Sequence, residues 1–366
     1  MSPRTVVVTG LSGNLGTAVL RRLAPTGCRL IGVCRRPPAG GEYEAASWVP
    51  LDLAAPDAAT QLRPVVEGAD AVVHLAWGFQ PSHDVEELER TAVGGTRAVT
   101  EAVLEAGVPH LVHTSSLGAY SPGPRTSADP GWDGVGEDWP TGGIDSLAYS
   151  RHKVAGERLL DQLERQAGER GAELTVTRLR PSLVVQRDAA SGLLRYGAPA
   201  WMPTAAVRHV PALPLPRDFQ VQFVHADDVA AAVQLVLDAR APGAFNLVAE
   251  PVVDAAMIAE VLGARLVPAP WQALRAAAAA AWHARLQPLD PGWLDLAVEV
   301  PRMSARRARE QLGWTPQWDG VAALTDLVEG MRAGASTDSP PLRERGAPQE
   351  LDVAAHEGLV EHRRLP

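Results

Sequence analysis

The chain has 366 residues, of which 46% are hydrophobic and 21% are charged, and its formal net charge is −9. This length allows one large domain or two smaller ones, and the negative charge argues against nucleic acid or an anionic membrane as a partner. No apolar leader with a cleavage site precedes Val6, and the alanine-rich run 276–282 is too short to span a bilayer. We therefore expect a cytoplasmic protein. Cys28 and Cys34 flank one short strand, too far apart for a disulfide, and are expected to be free thiols.

The first device in the chain is a glycine-rich turn between an apolar strand at residues 6–8 and a helix that starts near Thr17. Such a turn offers free backbone N–H groups and the positive end of a helix to a pyrophosphate. It could also be a structural turn, but its position between strand and helix favours nucleotide binding. The predicted cofactor-binding residues here are Thr9, Gly10, Ser12, Gly13, Asn14, Leu15 and Gly16.

A second buried strand is predicted at residues 30–34, and Arg35 and Arg36 follow it directly. In dinucleotide-binding folds an acidic residue here holds the ribose 2′-hydroxyl, whereas arginine suits a 2′-phosphate. Because Cys34 or Arg35 occupies that place, NADP is favoured over NAD. The alternative is two solvated arginines.

Two further strands are predicted at residues 49–53 and 71–77, and the first is expected to end at Asp52, near an adenine. Small residues end the second, where a cofactor would need close approach. We expect cofactor contacts from Asp52, Leu53, Leu75, Ala76 and Trp77. His74 and His113 lack a metal-ligand companion at useful spacing, so we interpret them as hydrogen-bonded structural histidines and expect no metal site.

A helix over 84–106 leads to a fifth strand at 111–113, which ends in Thr114, Ser115 and Ser116. Strands alternating with helices at this spacing predict an α/β fold, a doubly wound parallel sheet with its ligand site beyond the carboxyl ends of the strands. Ser116 would be delivered to that site, although a serine at a strand end is often only a turn residue.

Tyr149 is followed four residues later by Lys153, the only lysine of the chain. On a helix these positions share one face. Lysine is a compact charge on a flexible stem that can stand beside a phenol and share protons, which arginine cannot do. The pair therefore predicts a catalytic role for these two residues. The alternative is that the spacing arose by chance.

In this order the motifs resemble the extended short-chain dehydrogenase/reductase family, of the NAD-dependent epimerase/dehydratase type. The resemblance covers about residues 3–332 and is carried by Gly10-x-x-Gly13-x-x-Gly16, Asp52, His74-Leu75-Ala76, Ser115-Ser116 with Tyr120, Tyr149-x-x-x-Lys153, Arg180-Pro181, the run 223–230, the run 243–247 and Leu312-Gly313-Trp314-x-Pro316.

The resemblance implies a Rossmann-type sheet at 1–180 plus 219–250, with a smaller discontinuous substrate part at 181–218 plus 251–332. It implies that Tyr149 is the general acid/base, with a pKa lowered by Lys153 and the nicotinamide charge, and that Lys153 also holds the nicotinamide ribose. Ser116 would hydrogen-bond the reacting oxygen, and Thr114, Ser115 and Pro181 would border the cofactor. A homodimer through the helices near Asp84 and Tyr149 is also implied.

Two departures from the family pattern bear on the substrate. Leu117-Gly118 stands where dehydratases carry an acid pair, which disfavours sugar dehydration. Gln220-Val221-Gln222 stands where nucleotide-sugar enzymes usually have an arginine, which disfavours a nucleotide sugar.

The remaining segments give weaker expectations. The loop 122–146, with Trp139, should cover the site, and 181–218, with Arg195, Trp201 and Arg208, should build an apolar substrate side. Asp227 and Asp228 should cap a helix. We expect residues 333–366 to be a mostly disordered tail with one weak helix near 350–362.

Three functions follow from these features. The first is an NAD(P)-dependent oxidoreductase that moves hydride between the nicotinamide and a carbonyl or alcohol of a small metabolite. The second is a redox-neutral epimerase of a sugar or nucleotide sugar, and the third is a non-catalytic NAD(P)-binding sensor. The nucleotide that copurifies, and consumption of NADPH or NADH with carbonyl compounds, would separate them.

Overall fold

The computed structural model describes residues 4–78, 83–197, 210–286 and 289–343. Its main feature is a parallel seven-stranded sheet with the strand order β11-β6-β5-β4-β1-β2-β3. The strands are β1 Thr5–Thr9, β2 Arg29–Cys34, β3 Ser47–Pro50, β4 Ala71–His74, β5 His110–Thr114, β6 Thr175–Pro181, β7 Leu183–Val185, β8 Ala212–Leu215, β9 Gln220–Val221, β10 Phe223–His225, β11 Gly243–Leu247, β12 Val253–Asp254 and β13 Arg265–Pro268.

Helices cover both faces of this sheet. They are α1 Asn14–Leu23, α2 Ala58–Val66, α3 Val85–Glu89, α4 Gly95–Ala106, α5 Ala148–Arg170, α6 Ala190–Gly197, α7 Ala226–Ala239, α8 Ala255–Leu262, α9 Trp271–His283, α10 Gly292–Glu299, α11 Arg306–Leu312 and α12 Gly320–Ala333. A π-helical turn, Arg90–Gly94, joins α3 to α4. Across the described ranges, no helix is long and apolar enough to cross a membrane.

The apolar strands are buried on both faces because their side chains alternate between two cores. Val6 and Val8 of β1 face a core formed with α1 and α7, whereas Val7 faces a second core formed with α2, α4 and α5. Strands covered on both faces show apolar runs rather than alternation, which explains the pattern of the sequence. The predicted doubly wound parallel sheet is confirmed.

The C-terminal part of the chain adds smaller sheets at the carboxyl edge of the main sheet. The strand β7 pairs with β10, β9 with β12, and β8 with β13. A third core forms there between α8 and α12, around Val253, Leu324 and Leu327. The division into a dinucleotide part and a substrate part stays a prediction.

Two local predictions were wrong. The third strand ends at Pro50, so Asp52 lies beyond it in a turn, where its carboxylate accepts from the Ala54 N–H at 3.0 Å. The cap of α7 is His225, whose Nδ1 accepts from the N–H of Asp227 at 3.2 Å. The Asp228 carboxylate instead accepts from two backbone N–H groups at residues 317–318. It therefore ties the start of α7 to the segment before α12.

Several sequence predictions fall on residues outside the described ranges. They concern Trp201, Arg208 and the weak helix at 350–362, and the side chain of Arg195 is likewise not described.

The glycine turn gives a first test of the fold. A Cβ on Gly16 would lie 2.2 Å from the Gly10 carbonyl oxygen and 2.5 Å from the Leu11 backbone, so Gly16→Ala forces α1 away from β1. We expect a loss of about 1–3 kcal/mol in the free energy of unfolding, with weaker dinucleotide binding.

Gly168→Ala is the matched control, because Gly168 is exposed in the last turn of α5 with nothing near its Cβ position. Denaturant unfolding should show roughly 0.5–1 kcal/mol of stabilisation there. Equal stability of the two variants would contradict the close approach.

Candidate active site

A cavity of about 530 Å³ lies beyond the carboxyl ends of the central strands. It collects nearly every residue predicted to act: Gly10, Ser12, Gly13, Asn14, Leu15, Gly16, Arg35, Arg36, Asp52, Leu53, Leu75, Ala76, Trp77, Thr114, Ser115, Ser116, Tyr149, Lys153 and Pro181. Thr9 is the exception, because its buried hydroxyl lies 2.7 Å from His74 Nδ1, inside the protein.

One end of the cavity is the glycine turn between β1 and α1. Gly10 adopts a φ of 76°, and a Cβ there would lie 2.7 Å from the backbone nitrogen of Ala76, so β1 and β4 come together only around a glycine. Gly13 is the N-cap of α1 and carries no side chain that could satisfy the first N–H groups of the helix. These N–H groups and the helix dipole favour an anion.

The end of β2 borders the same part of the cavity and carries positive charge. Arg35 and Arg36 follow Cys34 and line the cavity. Burial raises the pKa of the Cys34 thiol, although a hydrogen bond with Ser12 opposes this shift. The strand therefore ends in a neutral thiol and two guanidinium groups, a set that suits a phosphate better than a ribose diol.

At the other end of the cavity, α5 brings Tyr149 and Lys153 to one face, as their spacing predicts. The Lys153 ammonium donates to the Thr114 carbonyl oxygen at 2.9 Å and stands 3.4 Å from the centroid of the Trp77 ring. Ser116 follows β5, and its Oγ accepts from the Gly118 N–H at 3.0 Å. The Ser116 side chain also hydrogen-bonds Tyr149. A phenol, a hydroxyl and an amine therefore meet at one wall.

The pKa values of the pair differ from the expectation. Burial raises the pKa of the Tyr149 phenol to about 12, and the hydrogen bond with Ser116 only partly opposes it. Burial also lowers the pKa of Lys153 well below its usual value, with the Glu157 carboxylate acting in the opposite direction. The Lys153 nitrogen lies 5.8 Å from the centroid of the Tyr149 ring, nearer to Trp77 than to the phenol. Among the groups of the chain, burial therefore outweighs the predicted effect of the ammonium on the phenol.

Several buried polar atoms around the cavity have no partner among the described residues. They are Thr91 Oγ1, Thr114 Oγ1, Ser182 Oγ and Trp77 Nε1, and all four residues line the cavity. An unpaired buried donor costs about 1–3 kcal/mol, so such groups mark places where a polar ligand can supply the missing partner. With the free N–H groups of the glycine turn, these residues fit a dinucleotide with a polar substrate group.

The two histidines at the strand ends differ. His74 is bonded through both ring nitrogens, to Thr9 Oγ1 and to Thr96 Oγ1, as expected of a structural histidine. The prediction for His113 was wrong, since neither of its ring nitrogens has a partner in the described part of the chain. Its buried ring packs edge-on to Trp77 instead, and burial lowers its pKa well below the usual value.

The segments that form another wall of the cavity were anticipated from the sequence, but the individual residues were not. This wall is apolar and is built by Leu193, Phe223, Trp293, Leu296 and Leu327. Trp293 of α10 packs on the catalytic candidate Tyr149, with ring centroids 4.9 Å apart. Leu193 lies in the segment 181–218, which was expected to form an apolar substrate side, and Phe223 begins the run 223–230. No local signal marks Trp293, Leu296 or Leu327, because they reach the cavity from helices far along the chain. The predicted cover, 122–146 with Trp139, contributes nothing to the lining and packs instead on the segment 297–304.

The family model described as the NAD dependent epimerase/dehydratase family matches residues 6–247, about two thirds of the chain. The chain belongs to this family. Its matched region ends with β11, so it includes the sheet, the glycine turn and α5 but not Trp293 or Leu327. A nicotinamide cofactor is the ligand of this enzyme family.

Individual relatives share about a quarter of the aligned residues with this chain. An uncharacterized protein of Mycobacterium tuberculosis is 25% identical over 347 residues, which are 92% of this chain but only 32% of that protein. The chain therefore spans about a third of the length of the curated relatives it matches first. Cinnamoyl-CoA reductase 1 of Arabidopsis thaliana is 27% identical over 283 residues, covering 72% of this chain and 75% of that protein.

Among solved structures, UDP-glucose 4-epimerase of Thermotoga maritima with UDP-glucose superposes with a TM-score of 0.64. The two are 18% identical, and the match covers 90% of this chain and 99% of that one. At this identity the likeness shows the shared fold.

The lone lysine allows a direct test of the site. In protein labelled with [15N]lysine, Lys153 gives the only side-chain amine signal, and we expect it to titrate well below about 10.4, the ordinary value. The urea-unfolded protein is the control and should give the ordinary value. A folded-state pKa at or above that value would contradict the buried environment.

The same shift predicts a pH-dependent stability. The cost of burying the charged Lys153 is full below its lowered pKa. The unfolded chain binds the proton that folded Lys153 releases, so this cost shrinks, and stability rises with pH, between the lowered pKa and the ordinary value. We expect Lys153→Met to raise Tm at pH 7, by roughly 2–4 °C for each kcal/mol gained. This advantage should shrink as the pH approaches 10, and an advantage that grew with pH would contradict the assignment.

Proposed function

We propose that this protein is an NADP-preferring oxidoreductase that transfers hydride between the nicotinamide and a carbonyl or alcohol of a small metabolite with an apolar portion. The observation that carries the proposal is the arrangement of Ser116, Tyr149 and Lys153 at one wall of a cavity whose far wall is apolar and whose end is a glycine turn.

Each residue of the trio has a role that its contacts support. Tyr149 stands at the cavity with its phenol protonated, so it can donate a proton to an oxygen that gains negative charge. Ser116, hydrogen-bonded to that phenol, fixes the same oxygen within reach of both hydroxyls. The nicotinamide, when bound, supplies or accepts the hydride. Lys153 supports the same wall through its contacts with the Thr114 carbonyl and the Trp77 ring.

The preference for NADP rests on the groups after β2. A 2′-phosphate carries about two negative charges and accepts several hydrogen bonds, and Arg35 and Arg36 line the cavity where it would lie. No carboxylate ends β2 to accept from a ribose 2′-hydroxyl, as NAD-specific sites require.

The apolar portion of the substrate is supported by Trp293 and Leu296, which line the cavity and pack with Tyr149. Gln220 and Gln222 occupy the positions where an arginine would meet a sugar diphosphate, and both make hydrogen bonds within the protein instead. The Gln222 amide donates to the Met303 carbonyl oxygen at 3.0 Å and accepts from its N–H at 2.8 Å. The Gln220 carbonyl accepts from Arg125. These contacts favour a carbonyl metabolite over a nucleotide sugar.

Turnover with added cofactor tests the reaction class. The purified protein should consume NADPH with at least one aldehyde, ketone or thioester from a panel that pairs apolar and polar compounds. Apolar members should react with the higher kcat/KM. Nucleotide retained through purification, with UDP-sugar interconversion and no net NADPH consumption, would instead identify an epimerase and overturn the proposal.

Tyr149→Phe tests the acid/base role. The variant keeps the ring that packs on Trp293 but loses the proton donor, so kcat should fall by about 10²–10⁴-fold while NADPH affinity is retained. Tyr120→Phe is the matched control, because the Tyr120 hydroxyl donates to Asn246 Oδ1 at 2.7 Å and does not line the cavity. Because that hydroxyl also supports the segment that carries Ser116, Tyr120→Phe should lower Tm and reduce kcat far less than Tyr149→Phe does. Full turnover by Tyr149→Phe would rule out the assignment.

Arg35→Ser with Arg36→Ser tests the cofactor preference. Losing two charge-assisted donors should weaken NADPH binding by about 10- to 100-fold or more and leave NADH binding nearly unchanged. Arg29→Ser, an exposed arginine at the opposite end of β2, is the control and should alter neither affinity. Fluorescence titration gives both dissociation constants, and a parallel loss of NADH affinity would argue against a 2′-phosphate contact.

A further inference from the structure

After α12 ends, the chain returns to the candidate active site. Gly334 adopts a φ of 66° and ends the helix, and residues 335–342 then run back across the mouth of the cavity. The sequence predicted disorder from residue 333, whereas Ser339 is fully buried and Leu342 is 4% exposed. The prediction was therefore wrong for this stretch. We call residues 335–342 the C-terminal strap.

The strap is fixed at three points on separate elements. The Ala335 carbonyl accepts from the Ser191 hydroxyl of α6 at 2.8 Å. The Thr337 hydroxyl accepts from the Tyr43 phenol at 2.9 Å, in the segment between β2 and β3. The Ser339 hydroxyl donates to the Ser12 carbonyl oxygen within the glycine turn. The strap therefore bridges the predicted substrate part and both elements that border the adenosine half of the dinucleotide site.

Beyond the third fixed point, a tight turn aims the strap at the cavity. The Leu342 N–H donates to the Ser339 carbonyl at 2.9 Å. As a result Pro340, Pro341 and Leu342 line the same cavity as the glycine turn and Arg35. Two prolines hold this stretch in a restricted conformation before any ligand binds, which reduces the entropy lost on binding.

We propose that the C-terminal strap is a further wall of the dinucleotide site, which packs Pro340 to Leu342 on the bound cofactor and slows its release. The inference rests on the proposed dinucleotide binding but goes beyond the roles of the glycine turn and the catalytic trio.

The contacts fit a cover rather than a segment that competes with the cofactor. The Ser339 hydroxyl donates to the carbonyl of Ser12, which a phosphate does not need, and occupies none of the N–H groups at the start of α1. The strap side chains that line the cavity are apolar and carry no carboxylate that could replace a phosphate. Its acidic residue, Asp338, is exposed.

The test measures cofactor release in the full chain with two strap variants and a matched control. Ser339→Ala removes the donor to Ser12, and Leu342→Ala removes the buried side chain at the cavity. Ser336→Ala is the control, because Ser336 is exposed within the strap, does not line the cavity, and undergoes the same change as Ser339→Ala. Release of NADPH is followed by its fluorescence after mixing with excess NADP+, and Tm is recorded for each protein.

We expect both strap variants to release NADPH about tenfold faster, which corresponds to about 1.4 kcal/mol, with Tm within a few degrees of the wild type. Ser336→Ala should match the wild type. Unchanged release in both strap variants would overturn the proposal, as would tighter binding, which would identify a competing segment. A wild-type protein that binds and releases NADPH but shows no turnover would contradict the proposed reaction and leave the strap result valid. A wild type that binds neither NADPH nor NADH would overturn both the proposed reaction and the proposed role of the strap.

Discussion

One buried carboxylate holds together the elements that carry Ser116, Tyr149 and Lys153 in the candidate active site. Glu157 lies one turn after Lys153 on α5, is 4% exposed, and accepts from Arg180 Nε at 2.8 Å, with Arg178 Nε at 3.2 Å. Burial alone would raise the pKa of Glu157, but the hydrogen bond and charge of Arg180 lower it. Removing one partner of such a group strands the other charge in the protein, so the cluster fixes α5 against β6. Tyr149 and Lys153 inherit their position from this contact.

The same cluster extends to the far edge of the sheet. Arg180 also donates to the Tyr120 hydroxyl at 3.0 Å, and that hydroxyl donates to Asn246 of β11. The segment after β5, which carries Ser116, is therefore linked through Tyr120 to β6 and β11. Because a fully bonded polar network tolerates few alternative geometries, it places Ser116 and Tyr149 in register without help from a ligand. Lys153 receives less support, since its ammonium is balanced by a carbonyl, an aromatic face and a carboxylate already shared by two arginines. Its lowered pKa is the consequence of that arrangement.

What the sequence could predict was local. The glycine turn, the strand ends and the Tyr149–Lys153 spacing each depend on a few neighbouring residues, and a parallel sheet necessarily gathers strand ends at one edge. The errors came from long-range partners. Asp228 looked like a helix cap because it follows a strand, but its acceptors serve backbone N–H groups almost 90 residues later. Trp293 and the strap residues reach the cavity only through packing, which no spacing in the sequence reveals.

The cavity is therefore built from two separate stretches of the chain, and the two contribute different kinds of surface. Its polar wall, from Gly10 to Lys153, lies within the matched region 6–247 and carries the hydroxyl, phenol and amine groups on which the proposed reaction rests. Trp293, Leu296, Leu327 and the strap follow that region and contribute mostly apolar surface. Apolar contacts discriminate only modestly between substrates, since one extra or missing methylene in an apolar pocket is worth only about 1–3 kcal/mol. In the proposed function, substrate choice should then depend on how α10 and its Trp293 shape the space beside Tyr149, while the strap acts on the cofactor and Ser116, Tyr149 and Lys153 keep their proposed roles.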